Sequence, residues 1–112
     1  MDRTVIQESA VRELMQEWFV LFSKPQEGFR VELVIDETLK RFLLMTDGWY
    51  GYRRSYGPVL DVSLRDGKVW INEDHTEEGI PDQLLEKGLL SEEIVLGWQP
   101  EYKRDLTGFA VA

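Results

Sequence analysis

The sequence predicts an α+β domain: an antiparallel four- to five-stranded meander sheet with an N-terminal amphipathic helix and a C-terminal helix packed on one face. Three observations carry this reading. Apolar residues recur at three- and four-residue spacing near the N-terminus, period-2 alternation runs through the middle of the chain, and Asp66-Gly67 sits between two alternating runs. Consecutive strands with short connections pair antiparallel, and a sheet that is apolar on one face needs helices to cover it.

The first helix is expected to open at Thr4 and Gln7, read as a capping box in which the Thr side chain accepts from the N3 amide and Gln reaches back. Val11, Leu14, Met15, Trp18, Leu21 and Phe22 form its apolar stripe, with Ser9, Arg12, Glu13 and Gln16 opposite. Pro25 disfavours helical geometry at Lys24, so the helix should finish near Ser23.

Phe29, Val31, Leu33 and Ile35 alternate with Arg30, Glu32 and Asp36, a strand with one buried face. Beyond a polar turn at Asp36-Glu37-Thr38, the run Phe42-Leu43-Leu44-Met45 is apolar on both faces and calls for cover on two sides, from this chain or from another subunit. The segment DGWYGYRRSYG reads as a third strand entered by a turn, with Tyr50, Tyr52, Arg54 and Tyr56 on one face if it is extended. A hairpin follows. Asp-Gly tolerates the two positive φ values of a type I′ turn, which sets Arg65 opposite Lys68, Leu64 opposite Val69, Ser63 opposite Trp70, Val62 opposite Ile71 and Asp61 opposite Asn72. Pro81 suits the first position of a helix that carries Leu84 and Leu85 inward and ends at Gly88. Ser91 opens another short turn with Glu92 and Glu93 at its start. From Gly97 to Arg104 the tail is aromatic and basic without periodicity, so it either docks as a strand or reaches a neighbour.

Composition narrows the function. One domain spanning residues 1–112 is expected, and the absence of Cys excludes disulfides, thiol catalysis and Cys-bearing zinc sites. A formal charge of −8 repels a phosphate backbone unless the basic residues are gathered on one face, so direct nucleic-acid binding is disfavoured. The opening residues lack a secretory pattern and no apolar run is long enough to span a bilayer, which predicts a soluble, cytoplasmic chain.

No catalytic residue, metal or cofactor is expected. His75 is the single histidine, and its acidic neighbours Asp74, Glu77 and Glu78 all lie in one loop, whereas metal ligands converge from separate elements. The serines lack a nucleophile-elbow context, no phosphate-cradling glycine motif occurs, and Gly48-Trp49-Tyr50-Gly51 has aromatics where an RNA-clamping GXXG loop has polar residues. Tyr50, Tyr52, Arg53, Arg54 and Tyr56, and separately Tyr102, Lys103 and Arg104, are the candidate interface residues. Two readings stay open for them: a stacking or protein-contacting surface, in which Tyr and Arg are enriched, or a charged edge strand whose aromatics fill the core.

Asp-Gly-Lys-Val-Trp-Ile at 66–71, Thr-Glu-Glu-Gly-Ile at 76–80, Glu-Glu-Ile-Val-Leu-Gly at 92–97 and Thr-Gly-Phe-Ala-Val at 107–111 resemble, in order and spacing, the fdxN-element excision controlling factor family, the XisI-like proteins. The resemblance covers most of the chain from Gly48 onward. Its matching positions include Gly48, Trp49, Tyr56, Gly57, Asp66, Gly67, Trp70, Thr76, Glu77, Gly79, Gly97, Gly108 and Phe109, while Asp47, Leu60 and His75 depart from the family pattern. The resemblance implies a non-catalytic accessory protein governing site-specific DNA excision in cyanobacteria. It also implies a companion controlling factor, an endonuclease-like protein, as partner, and the two-sided apolar run adds a homo-oligomer. Two other classes stay open: an antitoxin-like neutraliser of a nuclease-like partner, and a small-molecule-binding domain or enzyme using the His75 loop.

Overall fold

Asp2, rather than Thr4, caps the first helix in the computed structural model, which describes residues 2–23 and 28–112. The Asp2 carboxylate accepts from the Thr4 backbone N–H at 3.0 Å and from the Thr4 hydroxyl at 2.7 Å. A carboxylate there satisfies orphan donors and complements the helix dipole, so the cap lies two residues earlier than the capping-box reading placed it. Gln7 is buried and donates to the Gly67 carbonyl at 2.9 Å instead of closing a cap. The helix, α1 (Arg3–Phe22), ends at Ser23, whose N–H donates to the Phe19 carbonyl. The Lys24-Pro25 pair invoked to stop it lies outside the described residues.

Val11, Leu14 and Met15 are fully buried, and Trp18 and Phe22 stack at 5.3 Å. Leu21 is a correction. It is 53% exposed, beside Val20 at 66%, because the last turn of the helix runs past its cover.

Four strands follow in meander order, β1 (Phe29–Asp36), β2 (Arg41–Tyr50), β3 (Arg53–Arg65) and β4 (Lys68–Asp74), each antiparallel to the one before. α2 (Pro81–Glu86) and a 3₁₀ turn at Ser91–Glu93 lead into β5 (Ile94–Leu96), and α3 (Glu101–Arg104) comes last. β5 lies parallel to β4, so the five-stranded sheet is mixed and the purely antiparallel expectation is corrected. The crossover through residues 75–93 is the cause: a tight hairpin reverses the chain, whereas a long connection returns it to re-enter the sheet in the same direction.

The third strand also differs from the expectation. β2 continues through Gly48-Trp49-Tyr50, the turn is Gly51-Tyr52, and the Tyr/Arg segment fuses with the first arm of the next hairpin into one 13-residue strand. That hairpin turns at Asp66 (φ 53°) and Gly67 (φ 74°), and the register holds from Arg65↔Lys68 to Val62↔Ile71. A bulge then leaves Asn72 out of the ladder, so Asp61 faces Glu73 and not Asn72.

Phe42, Leu44, Leu60, Val62, Ile71, Ile80, Leu84 and Ile94 are fully buried between the sheet and its helices. Leu43 and Met45, on the opposite face of β2, are only half-buried. α2 is tied to α1 by the Trp18 indole N–H donating to Gln83 at 2.9 Å and by Lys87, which is 3.0 Å from Glu13 and also pairs with Glu17. The tail docks on its own sheet through a parallel bridge of Ala110 to Val95. No helix among the described residues is long and apolar enough to cross a membrane.

Candidate functional site

The two clusters singled out from the sequence sit at opposite ends of β3. Tyr50 to Tyr56 surround its first residues and Arg104 lies near its last, about 40 Å away at 3.3 Å per residue. They do not form one patch.

At the first end, the β2–β3 hairpin exposes four aromatic rings. Tyr52, in the turn, is fully exposed, and Trp49, Tyr50 and Tyr56 are each more than half exposed. The four residues expected on one face are divided. Tyr50 ends β2 and packs on Phe29 at 5.0 Å, on the side that α1 covers elsewhere. Arg54 and Tyr56 share the other, open face with Trp49, because Trp49 pairs with Arg54 across the ladder. The Arg54 guanidinium lies 5.3 Å from the Trp49 ring and 5.0 Å from the Tyr56 ring. Such contacts are worth about 0.5–1 kcal/mol at exposed sites. Asp47 is 2.8 Å from Arg54 and 3.4 Å from Arg30, and so supplies the counter-ion of the cluster. Arg53 makes no ion pair among the described residues. Gly48 is required by packing: a Cβ there would lie 2.5 Å from the Gly28 carbonyl oxygen and 2.6 Å from Phe29 Cα.

At the other end, Trp70 is 8% exposed on the open face. Arg65 lies 3.9 Å and Arg104 5.2 Å from its ring centroid. Arg104 is held by donating to the Gln99 and Val111 carbonyls, each at 3.1 Å, while Lys103 lies over its exposed neighbour Tyr102. Sequence reasoning missed Arg65. The hairpin register was the available signal, since Arg65 facing Lys68 places it diagonal to Trp70. Between the two ends, Arg41 reaches both oxygens of Asp61 at 2.9 and 2.7 Å, and Asn72 donates to Ser63 at 3.1 Å.

The remaining motif positions organise loops. Asp66 and Gly67 make the hairpin turn, and Gly57 faces Thr46 across the ladder. Thr76 donates to Asp74 at 2.6 Å and accepts from the Gly79 N–H at 3.1 Å, while the second Asp74 oxygen accepts from Ile80 at 2.7 Å. Asp74 thus shapes the entry to α2 and does not join His75, and Glu77 and Glu78 are exposed. His75 instead meets Glu73, with Nε2 to Oε2 at 2.7 Å, at one wall of an open cleft of ≈ 450 Å³ that the Thr46 and Ser55 hydroxyls also line. Leu60 is core. Gly97 abuts β4, where a Cβ would be 3.0 Å from Asn72 Oδ1; beyond it, Gly108 turns the tail and Phe109 packs against the core.

The buried ionic site lies elsewhere. Glu93 accepts from Arg3 Nε at 3.1 Å, Gln7 at 2.7 Å and the Leu90 N–H at 2.9 Å, and the Arg3 guanidinium holds its carboxyl down at about 2.

The family described as XisI protein matches residues 1–111 of the chain. Two solved structures from Anabaena variabilis are similar to it. A XisI-like protein is 30% identical, with 96% of this chain and 98% of that chain covered and a TM-score of 0.88. The fdxN element excision controlling factor XisI is 31% identical, with 99% and 100% covered and a TM-score of 0.86. None of the curated proteins matches the chain.

Proposed function

The chain belongs to the XisI protein family, and from that premise we propose that it is a non-catalytic controlling factor for excision of a DNA element, acting by contact with a companion protein. The relative named as an fdxN element excision controlling factor supports the process. One observation supports the mode of action: the β2–β3 tip presents Trp49, Tyr50, Tyr52 and Tyr56 to solvent around Arg53 and Arg54. Aromatic and Arg side chains are the groups that anchor protein interfaces, because they bury much area with few rotamers to freeze. An endonuclease-like companion factor is the partner this reading names, and strand chemistry is left to the recombinase.

Self-association belongs to the same reading. β1 is an edge of the sheet, and Val34 on its open face is 44% exposed beside half-buried Leu43 and Met45. Co-expression with the product of the neighbouring reading frame, followed by light scattering on a sizing column at two salt concentrations, tests both. A stable mixed complex is expected. If the chain elutes alone as a monomer at micromolar concentration, the contact mechanism and the self-association are both wrong.

A further inference from the structure

We propose that the Trp70 end of the open face is a docking site for an acidic polypeptide segment of a partner protein, held by Arg65, Lys68 and Arg104. This surface is independent of the β2–β3 tip.

The cations left over by the fold point to it. Among the described residues Arg53, Arg65, Lys68, Lys103 and Arg104 make no ion pair with a carboxylate, although the chain carries 21 Asp and Glu against 13 Lys and Arg. Asp66 and Asp105 are sequence neighbours of this group and pair with none of it. Two of these cations meet over one ring, and a third is the ladder partner of one of them. Arg65 and Arg104 lie over Trp70, and Lys68 faces Arg65 across the ladder two residues before Trp70.

Their geometry suits an oxyanion. A guanidinium stacked on an aromatic face can still donate in its own plane, and those N–H groups form the fork that matches a carboxylate. Arg65 keeps its whole fork among the described residues, while Arg104 has given Nε and one Nη1 donor to carbonyls and offers its Nη2 group. Trp70 is fixed in β4 and Arg104 is fixed by the Gln99 and Val111 carbonyls, so the ring and one of its cations are positioned before a ligand arrives. Preorganisation of this kind lowers the ordering cost of binding. The segment that brings Arg104 to Trp70 also exposes Trp98 at 52% and Tyr102 at 76%, which gives a polypeptide apolar contacts beside its carboxylates.

Charge complementarity selects the occupant. A duplex carries a phosphate charge every ~1.7 Å along its axis and would meet the field of a chain at −8 over a long contact. A short acidic segment meets only the three local cations.

The test uses the whole chain, the indole N–H NMR signal of Trp70, and three probes: a hexaglutamate peptide, hexaglutamine and a short DNA duplex. Hexaglutamate is expected to move the Trp70 signal in a salt-dependent way, and hexaglutamine to leave it in place. Arg65→Gln and Lys68→Gln should each weaken the peptide roughly tenfold, the scale of one charge-assisted hydrogen bond, and Arg53→Gln should leave binding unchanged. Lys68→Gln keeps a half-buried, uncharged side chain of similar length at the first position of β4, so an unchanged melting temperature separates binding from folding. The proposal is overturned if hexaglutamate leaves Trp70 unmoved, if Arg53→Gln weakens binding as much as Lys68→Gln, or if the duplex moves the signal and the peptide does not.

Discussion

Arg3 binds Glu93, ninety residues away along the chain, and their ion pair ties the start of α1 to the turn before β5. The Glu93 side chain is 10% exposed and that of Arg3 43%, so water screens one partner and not the other. Because Gln7 and the Leu90 amide share the same carboxylate, loss of Glu93 strands several donors at once.

Glu93 therefore sets an acid limb of stability. Its folded pKa, about 2, lies below the ordinary value of 4.5, so its contribution is present above pH 4.5 and is lost as pH falls from 4.5 towards 2. Glu93→Gln is expected to cost about 2 kcal/mol at neutral pH, and to flatten part of the loss between pH 4.5 and 2 in urea titrations. An unchanged acid limb in the variant would show that other carboxylates carry it.

The two faces of β2 give a paired prediction. Phe42 is fully buried under α1, whereas Leu43 is half-buried on the open face. Phe42→Ala should cost about 3–5 kcal/mol by opening a cavity, and Leu43→Ala less than about 1.5 kcal/mol. Urea midpoints measured on both variants check the order, and equal losses would mean that the open face is covered.

Gly48→Ala should destabilise by about 2 kcal/mol or more, because the added methyl meets the Gly28 carbonyl and the Phe29 backbone rather than a side chain that can move. Thermal melts report the loss. Amide hydrogen exchange should show it concentrated in β1 and β2, and protection lost evenly over the sheet would contradict the steric cause.

Which features were legible follows from their physical range. The Asp66-Gly67 turn dictates its register locally, so four cross-strand pairs could be read from the four residues on either side of it. The apolar stripe of α1 was legible for the same reason, a repeat long enough to count. β5 has only three residues and owes its parallel direction to a crossover, a non-local fact that no period records. The bulge at Asn72 left no mark in composition, so Asp61 was paired one residue too early. At the candidate site, the Tyr and Arg residues were visible but their grouping was not: placing the turn at Gly51-Tyr52 moves Tyr50 to a different strand and splits one supposed face into two. Arg65 and Trp70 were both in view, and only the diagonal of the hairpin joins them.

The tip and the fold can be separated by mutation. Tyr52 is fully exposed in its turn, so Tyr52→Ala should leave the melting temperature unchanged while weakening a complex with the companion protein by about 2 kcal/mol, the scale of an interface anchor. Asp47→Asn is the companion variant. It removes the counter-ion 2.8 Å from Arg54 and leaves the Trp49 and Tyr56 rings in place, so Arg54 gains net charge at an unaltered aromatic surface. If the partner presents carboxylates to the tip, Asp47→Asn should raise the association rate at low salt, and the gain should fade as ionic strength rises. A complex whose stability ignores Tyr52→Ala and whose rate ignores Asp47→Asn would move the contact away from the β2–β3 hairpin, since beyond it the two changes reach only Arg30 of the adjoining β1.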